Sequence, residues 1–110
     1  MERIARQQEA ARTRAANLRS AVPEIARRLE RRGATRVRLF GSLATGGQPH
    51  EATDVDLCVE GLDDDAIAEA LLEVEPLLGA RVDIVRWETA GPRLKRRIDS
   101  DAMELSRVAG

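Results

Sequence analysis

Two aspartates, Asp54 and Asp56, flank Val55 at the head of an apolar run that continues through Leu57-Cys58-Val59, and Leu39-Phe40-Gly41-Ser42 lies upstream of them. Carboxylates alternating with aliphatic residues fit a strand that gives one face to a core and the other to a polar site. Residues i and i+2 of a strand point to the same side, roughly 6.5–7 Å apart at Cα, so both carboxylates converge on one volume while Val55 and Leu57 turn the other way. Gly41 permits close backbone approach. Ser42 can open a short helical turn through Leu43-Ala44-Thr45 before Gly46-Gly47, which offers free N–H groups to an anion.

The carboxylate pair suits a hard cation. Mg²⁺ takes carboxylate oxygens and keeps waters and substrate phosphates as its other ligands. Either one ion or two fit the volume, and in a two-metal site the ions stabilise the attacking and leaving oxygens of an in-line displacement. A third carboxylate, Asp83, lies in Arg81-Val82-Asp83-Ile84-Val85, a run short enough to be another strand. Strands close in sequence are often neighbours, so Asp83 is expected beside the first pair as metal ligand or general base. A phosphate end and a metal end together point to nucleotidyl transfer.

The remaining pattern reads as a small α/β (α+β) architecture, a mixed sheet flanked by helices. A helix is expected from about Glu2 to Arg32. Its stripe of Ile4, Ala11, Leu18 and Ile25 interleaves with Gln8, Ala15, Val22 and Leu29. Pro23 is expected to kink or restart it, and Gly33 suits the stop. The second half should pack on the sheet. The first half carries the weaker stripe of Ile4, Ala11 and Ala15, a solvated, frayed or partner-docking surface. Strands are expected at Thr35–Phe40, Asp54–Glu60 and Arg81–Trp87. Asp63 should cap a helix presenting Ile67, Leu71, Val74 and Leu78, with Pro76 near its end. Gly91-Pro92 starts a last helix through about Ser100, and Met103 to Val108 reads as an edge strand. The whole is expected to form one domain, 1–110, with an N-terminal helical segment (1–32) and a catalytic core (35–108).

At 110 residues, with one Phe, one Trp and no Tyr, the core must be modest and aliphatic. A large acceptor lobe does not fit in this length. The single cysteine forms no intramolecular disulfide, and no stretch reads as a signal peptide or membrane span, which makes the cytoplasm the expected location. The net charge of −1 hides strong segregation. Residues 1–38 carry 11 Arg against 4 Glu, residues 39–80 carry 10 acids and no Lys or Arg, and residues 81–110 carry 7 bases and 5 acids. The acidic block would repel a nucleotide unless a cation neutralised it. Nucleic acid is not the expected partner of the basic start, whose arginines spread around a helix without interleaved aromatics.

These elements resemble the minimal nucleotidyltransferases of the polymerase-beta superfamily. The resemblance covers Val37 to about Leu105 and rests on Phe40-Gly41-Ser42, Ala44, Gly46, Asp54-Val55-Asp56-Leu57 and Val82-Asp83-Ile84-Val85, in that order. It implies that Gly41 and Ser42 hold the phosphates of ATP, that Asp54 and Asp56 bind Mg²⁺, and that Asp83 is the third carboxylate. Arg97-Ile98 looks like part of the basic helix that closes such domains, with Arg97 on the nucleotide. Eleven residues, Leu43 to Thr53, separate Ser42 from Asp54, one more than is usual in the family. Loops tolerate such insertions at small entropic cost, and Gly46-Gly47-Gln48-Pro49 has turn chemistry. Thr53 keeps the hydroxyl where a serine is common.

The resemblance also implies an acceptor, since such domains are commonly paired with a HEPN ribonuclease toxin that they neutralise by adenylylating a tyrosine. Two rival readings are a non-catalytic antitoxin of the same fold and a small-molecule nucleotidyltransferase of the aminoglycoside type. Several residues have plainer readings. Ser42 could be a simple helix cap, Asp83 an exposed residue on an outer strand, and Asp63, Asp64 and Asp65 first-turn helix acids. Cys58 reads as a buried small hydrophobe, Trp87 as packing rather than an adenine stack, His50 as a lone loop histidine, and Arg93, Lys95, Arg96 and Arg97 as a solvated face from which one cation can reach the triphosphate.

Overall fold

The computed structural model describes residues 2–46 and 54–106, with side chains from Glu9 onward in the first range. His50, Glu51, Thr53, the turn at 47–49, the side chains of Ile4 and Gln8, and the far end of the expected last strand lie outside them. The elements run α1 (Glu2–Arg31), β1 (Arg36–Phe40), α2 (Ser42–Thr45), β2 (Val55–Glu60), α3 (Asp64–Leu78) and β3 (Val82–Arg86). A 3-10 turn (Trp87–Thr89), α4 (Pro92–Asp101) and β4 (Met103–Glu104) follow. The sheet order is β3-β2-β1-β4. β1 pairs antiparallel with both β2 and β4, whereas β2 and β3 are parallel and joined by α3 as the crossover.

Alternation in the strands divides the sheet into two faces. Val37, Leu39, Val55, Leu57 and Val59 point to the larger core, which α1 and α3 close with Val22, Leu29, Ala70 and Val74. Phe40 and Cys58 point the other way and receive Ile98 of α4, with Leu94, Val85 and Trp87 around them. The layers are therefore helices, sheet and a single short helix. Asp63 caps α3 as expected, its side chain accepting from Ala66 N at 2.8 Å. Arg28 and Arg32 bind Glu73 at 2.7 and 2.8 Å, tying the basic helix to the acidic one across the larger core.

Four expectations change. Of the two outcomes expected at Pro23, a kink or a restart, the restart does not occur, because α1 runs unbroken through it. A proline in a helix interior costs about 3 kcal/mol, whereas burying Val22, Ile25 and Leu29 contributes about 1.5–3 kcal/mol each, so packing wins. The first half of α1 is also not a bare surface. Ala11, Ala15 and Leu18 are buried, and Arg14 donates to Gly79 O at the end of α3 at 3.1 Å. Trp87 leaves the strand to start the 3-10 turn. The edge strand shrinks to two described residues, and Leu105 N bonds Val37 O just beyond it at 2.9 Å.

Candidate active site

Strand register brings the expected carboxylates to one end of the smaller-core face. Asp56 pairs with Phe40 of β1 on one side and with Asp83 of β3 on the other. Neighbouring strands lie about 4.8 Å apart, so Asp56 and Asp83 stand side by side on the same face. Asp54 lies one residue before β2 and enters the same volume by strand alternation. Asp83 is on the outer strand, with its side chain half exposed. The plain reading of that position and the functional one therefore describe the same geometry.

The Gly41-Ser42 turn is built against these acids. Gly41 has φ 75° and caps α2, the helix of Ser42–Thr45, which closes on left-handed Gly46. A methyl in place of the Gly41 hydrogen would collide with Oδ2 of Asp56 and stand 3.2 Å from its Cγ. Gly41 is thus required twice, by its backbone conformation and by the carboxylate lying over it. Ser42 is the first helical residue rather than the cap, and no side chain caps this helix. The first N–H groups of any helix have no intrahelical acceptor, so the turn turns donors outward beside the acids.

Electrostatics mark the same place. Burial raises the Asp56 carboxyl above the ordinary carboxylate range, Asp83 and Asp54 push it the same way, and the Arg97 guanidinium opposes them. Arg97 follows from the seat of α4. Ile98 is wholly buried against Phe40, the register partner of Asp56, and Arg97 precedes it by one residue. Arg97 rather than Arg96 is the cation felt at the acidic cluster. Lys95 instead lies over the Trp87 ring, 4.9 Å from its centroid, and Trp87 packs beside the Phe40 cluster. Burial raises the Cys58 thiol, consistent with an inert core position.

The donor set, two strand carboxylates in register and a third one residue before β2, suits Mg²⁺, which takes carboxylate oxygens and keeps waters and phosphate oxygens as its other ligands. Among the described residues, however, no three His, Cys, Asp or Glu side chains are gathered tightly enough to hold a metal ion. Asp83 Oδ1 lies 3.9 Å from Arg81 Nε, and like charges oppose the close approach of the three carboxylates when no cation is bound.

One residue here had no place in the sequence reading. Arg38 is 4% exposed, in register with Cys58 and two residues from Phe40. It binds Asp99 of α4 at 3.1 Å and Glu60 at 3.5 Å and lies 4.5 Å from the Trp87 ring centroid. The alternation Arg36-Val37-Arg38-Leu39 suggests a solvent-facing row. The usable signal was Leu94 and Ile98, four apart, which need a seat on that same face.

A family model described as a nucleotidyltransferase domain matches residues 22–105. This chain belongs to that family. The nucleotidyltransferase domain is 31% identical over 80 residues, 70% of this chain and 85% of the relative, to a Methanocaldococcus jannaschii protein named as a candidate protein adenylyltransferase. It is 36% identical to a solved structure described as a candidate minimal nucleotidyltransferase, with a TM-score of 0.69 over 81% of this chain and 93% of the other. It shares the fold, at 21% identity and a TM-score of 0.59, with a Shewanella oneidensis complex of a tri-AMPylated HEPN toxin and MNT antitoxin. That match covers 84% of this chain and 71% of that one. The resemblance to minimal nucleotidyltransferases is borne out, and the matched region also includes the second half of α1.

Proposed function

We propose that this nucleotidyltransferase transfers AMP from ATP to a hydroxyl of a protein acceptor, releases pyrophosphate, and thereby neutralises a partner toxin of the HEPN type. The observation that carries the reading is the Asp56 carboxylate lying over Gly41 while in register with Asp83, which joins a phosphate-facing turn to an acidic pair. The name of the M. jannaschii relative and the AMPylated toxin of the Shewanella complex support the acceptor class. Use of ATP and Mg²⁺ suits the cytoplasm.

Each residue then has a task. Gly41 lets the backbone close on the triphosphate, and the first N–H groups of α2, beginning at Ser42, donate to its oxygens. Asp54, Asp56 and Asp83 would hold Mg²⁺, which supplies neutralisation of the phosphates and of the charge that develops on them. Arg97 adds a fixed cation on the side of α4. The acceptor oxygen forms a bond to the α-phosphorus as the bond to the pyrophosphate oxygen breaks. Asp83, the exposed member on the outer strand, takes the hydroxyl proton.

This assignment predicts that Asp83→Asn slows AMP transfer by roughly 10²-fold, the scale of a lost proton acceptor, while AMP-PNP still binds. Intact-mass analysis of a genetically adjacent HEPN-type protein after incubation with ATP and Mg²⁺ reads the transfer. A gain of AMP with wild type and little with Asp83→Asn is the expected result. Full toxin neutralisation by Asp83→Asn at matched expression, with the toxin unmodified, would replace the enzymatic reading with simple occlusion.

A further inference from the structure

Arg38 is a buried cation whose position explains how α4 is aimed. Its guanidinium is clasped by Asp99 and Glu60 and faces Trp87, while Nε is buried without a hydrogen-bond partner among the described residues. Burying a charge is costly unless it is paired, and a paired one often adds no stability over an apolar side chain of similar volume. An apolar side chain would have packed more simply between Trp87 and the Phe40 cluster. The Asp99 bond supplies direction, which an apolar contact lacks. Ile98 points into the sheet, and in a helix its two neighbours diverge by about 100° to either side. Asp99 on one side is fixed to the Arg38 row of β1. Arg97 on the other is thereby aimed towards the Phe40–Asp56 row, the next on that face of β1, where its charge reaches Asp56.

We propose that the Arg38–Asp99 pair is a positioning device for nucleotide binding, locking the rotation of α4 about Ile98 so that Arg97 meets the triphosphate at the acidic cluster. Neither residue touches the nucleotide. The inference rests on the proposed use of ATP at Asp54, Asp56 and Asp83, and its test separates failure of the two.

The experiment is a double-mutant cycle on AMP-PNP affinity in the presence of Mg²⁺, with Arg97→Ala, Asp99→Asn and the double variant compared by calorimetry. Melting temperature is recorded alongside. Removing the Asp99 charge should by Coulomb attraction alone favour a polyanion, so a loss of affinity runs against the trivial effect. We expect Asp99→Asn to weaken AMP-PNP about tenfold in the wild-type background and less than about twofold when Arg97 is already alanine, the non-additivity of coupled sites. Its effect on melting temperature should be the same in both backgrounds. Arg38→Lys, which keeps the charge without the planar fork, should behave like Asp99→Asn. Equal loss in both backgrounds, or no loss from Asp99→Asn, overturns the positioning role and leaves the proposed function standing. If Arg97→Ala does not weaken AMP-PNP, Arg97 has no part in nucleotide binding and the inference falls with that assignment.

Discussion

Asp54→Asn/Asp56→Asn should lose AMP transfer by about 10³-fold or more and yet, without metal, melt higher than the wild type. The loss follows because a bound cation supplies several kcal/mol of charge stabilisation to a phosphoryl displacement, and each 1.36 kcal/mol is tenfold in rate. The gain in melting temperature comes from Asp56. Burial raises its folded-state carboxyl pKa above the unfolded value, with Asp83 and Asp54 adding to the effect, so the ionised group destabilises the native state. By linkage that penalty is full above the raised pKa, shrinks as pH falls through it, and vanishes below the unfolded value of about 3.9. The advantage of the double variant should therefore be largest near neutral pH and fade in acid. Mg²⁺ with AMP-PNP should reverse the order, since only the wild type gains stability by binding. Thermal melts across pH, with and without that ligand pair, check each sign. A variant that melts lower than wild type at neutral pH, or retains transfer, would contradict the acidic-cluster reading.

Gly41→Ala should be the most damaging single substitution at the turn. Its φ of 75° disfavours any side chain, at about 1–3 kcal/mol for a forced positive φ, and the new methyl would displace Oδ2 of Asp56. For a domain of this size about 2 kcal/mol corresponds to roughly 10 °C in melting temperature. A displacement of about 1 Å in the carboxylate should cost on the order of 10²-fold in transfer rate even in the fraction that folds. Ser42→Ala keeps every backbone donor and removes a side chain that makes no cap bond, so its stability should change by less than about 0.5 kcal/mol. Parallel melts and single-turnover rates distinguish them. Similar behaviour of the two variants would mean that Gly41 is not pressed against the acidic cluster.

How much of this could be read from the sequence depends on the range of the interactions involved. The pairing of Asp56 with Asp83 was legible because two short apolar runs joined by one helix leave few alternatives to a parallel crossover pair, and side-chain alternation then decides which residues share a face. The Ser42–Thr45 helix was legible from the glycines at each end. At Pro23 the helix continues rather than restarts, a local rule outweighed by aliphatic burial on both sides of it. Ala11 and Ala15 looked weak in isolation, yet both are buried, Ala15 within the larger core, while Arg14 between them reaches Gly79 at the end of α3. The rotamer of Asp83, turned to Arg81, leaves no trace in spacing. Arg38 was invisible for a related reason. Its burial depends on α4, sixty residues away in sequence, and the Asp99 partner that makes it tolerable sits on the exposed side of that helix.

The most direct test of nucleotidyl transfer is to supply the protein, Mg²⁺ and the product of the neighbouring gene with ATP labelled at the α-phosphate and, in parallel, at the γ-phosphate. The α-label should enter the acceptor protein with release of pyrophosphate, and the γ-label should remain entirely in the pyrophosphate. Incorporation of the γ-label, or of neither label while the three carboxylates are intact, would contradict the assignment of this site to AMP transfer.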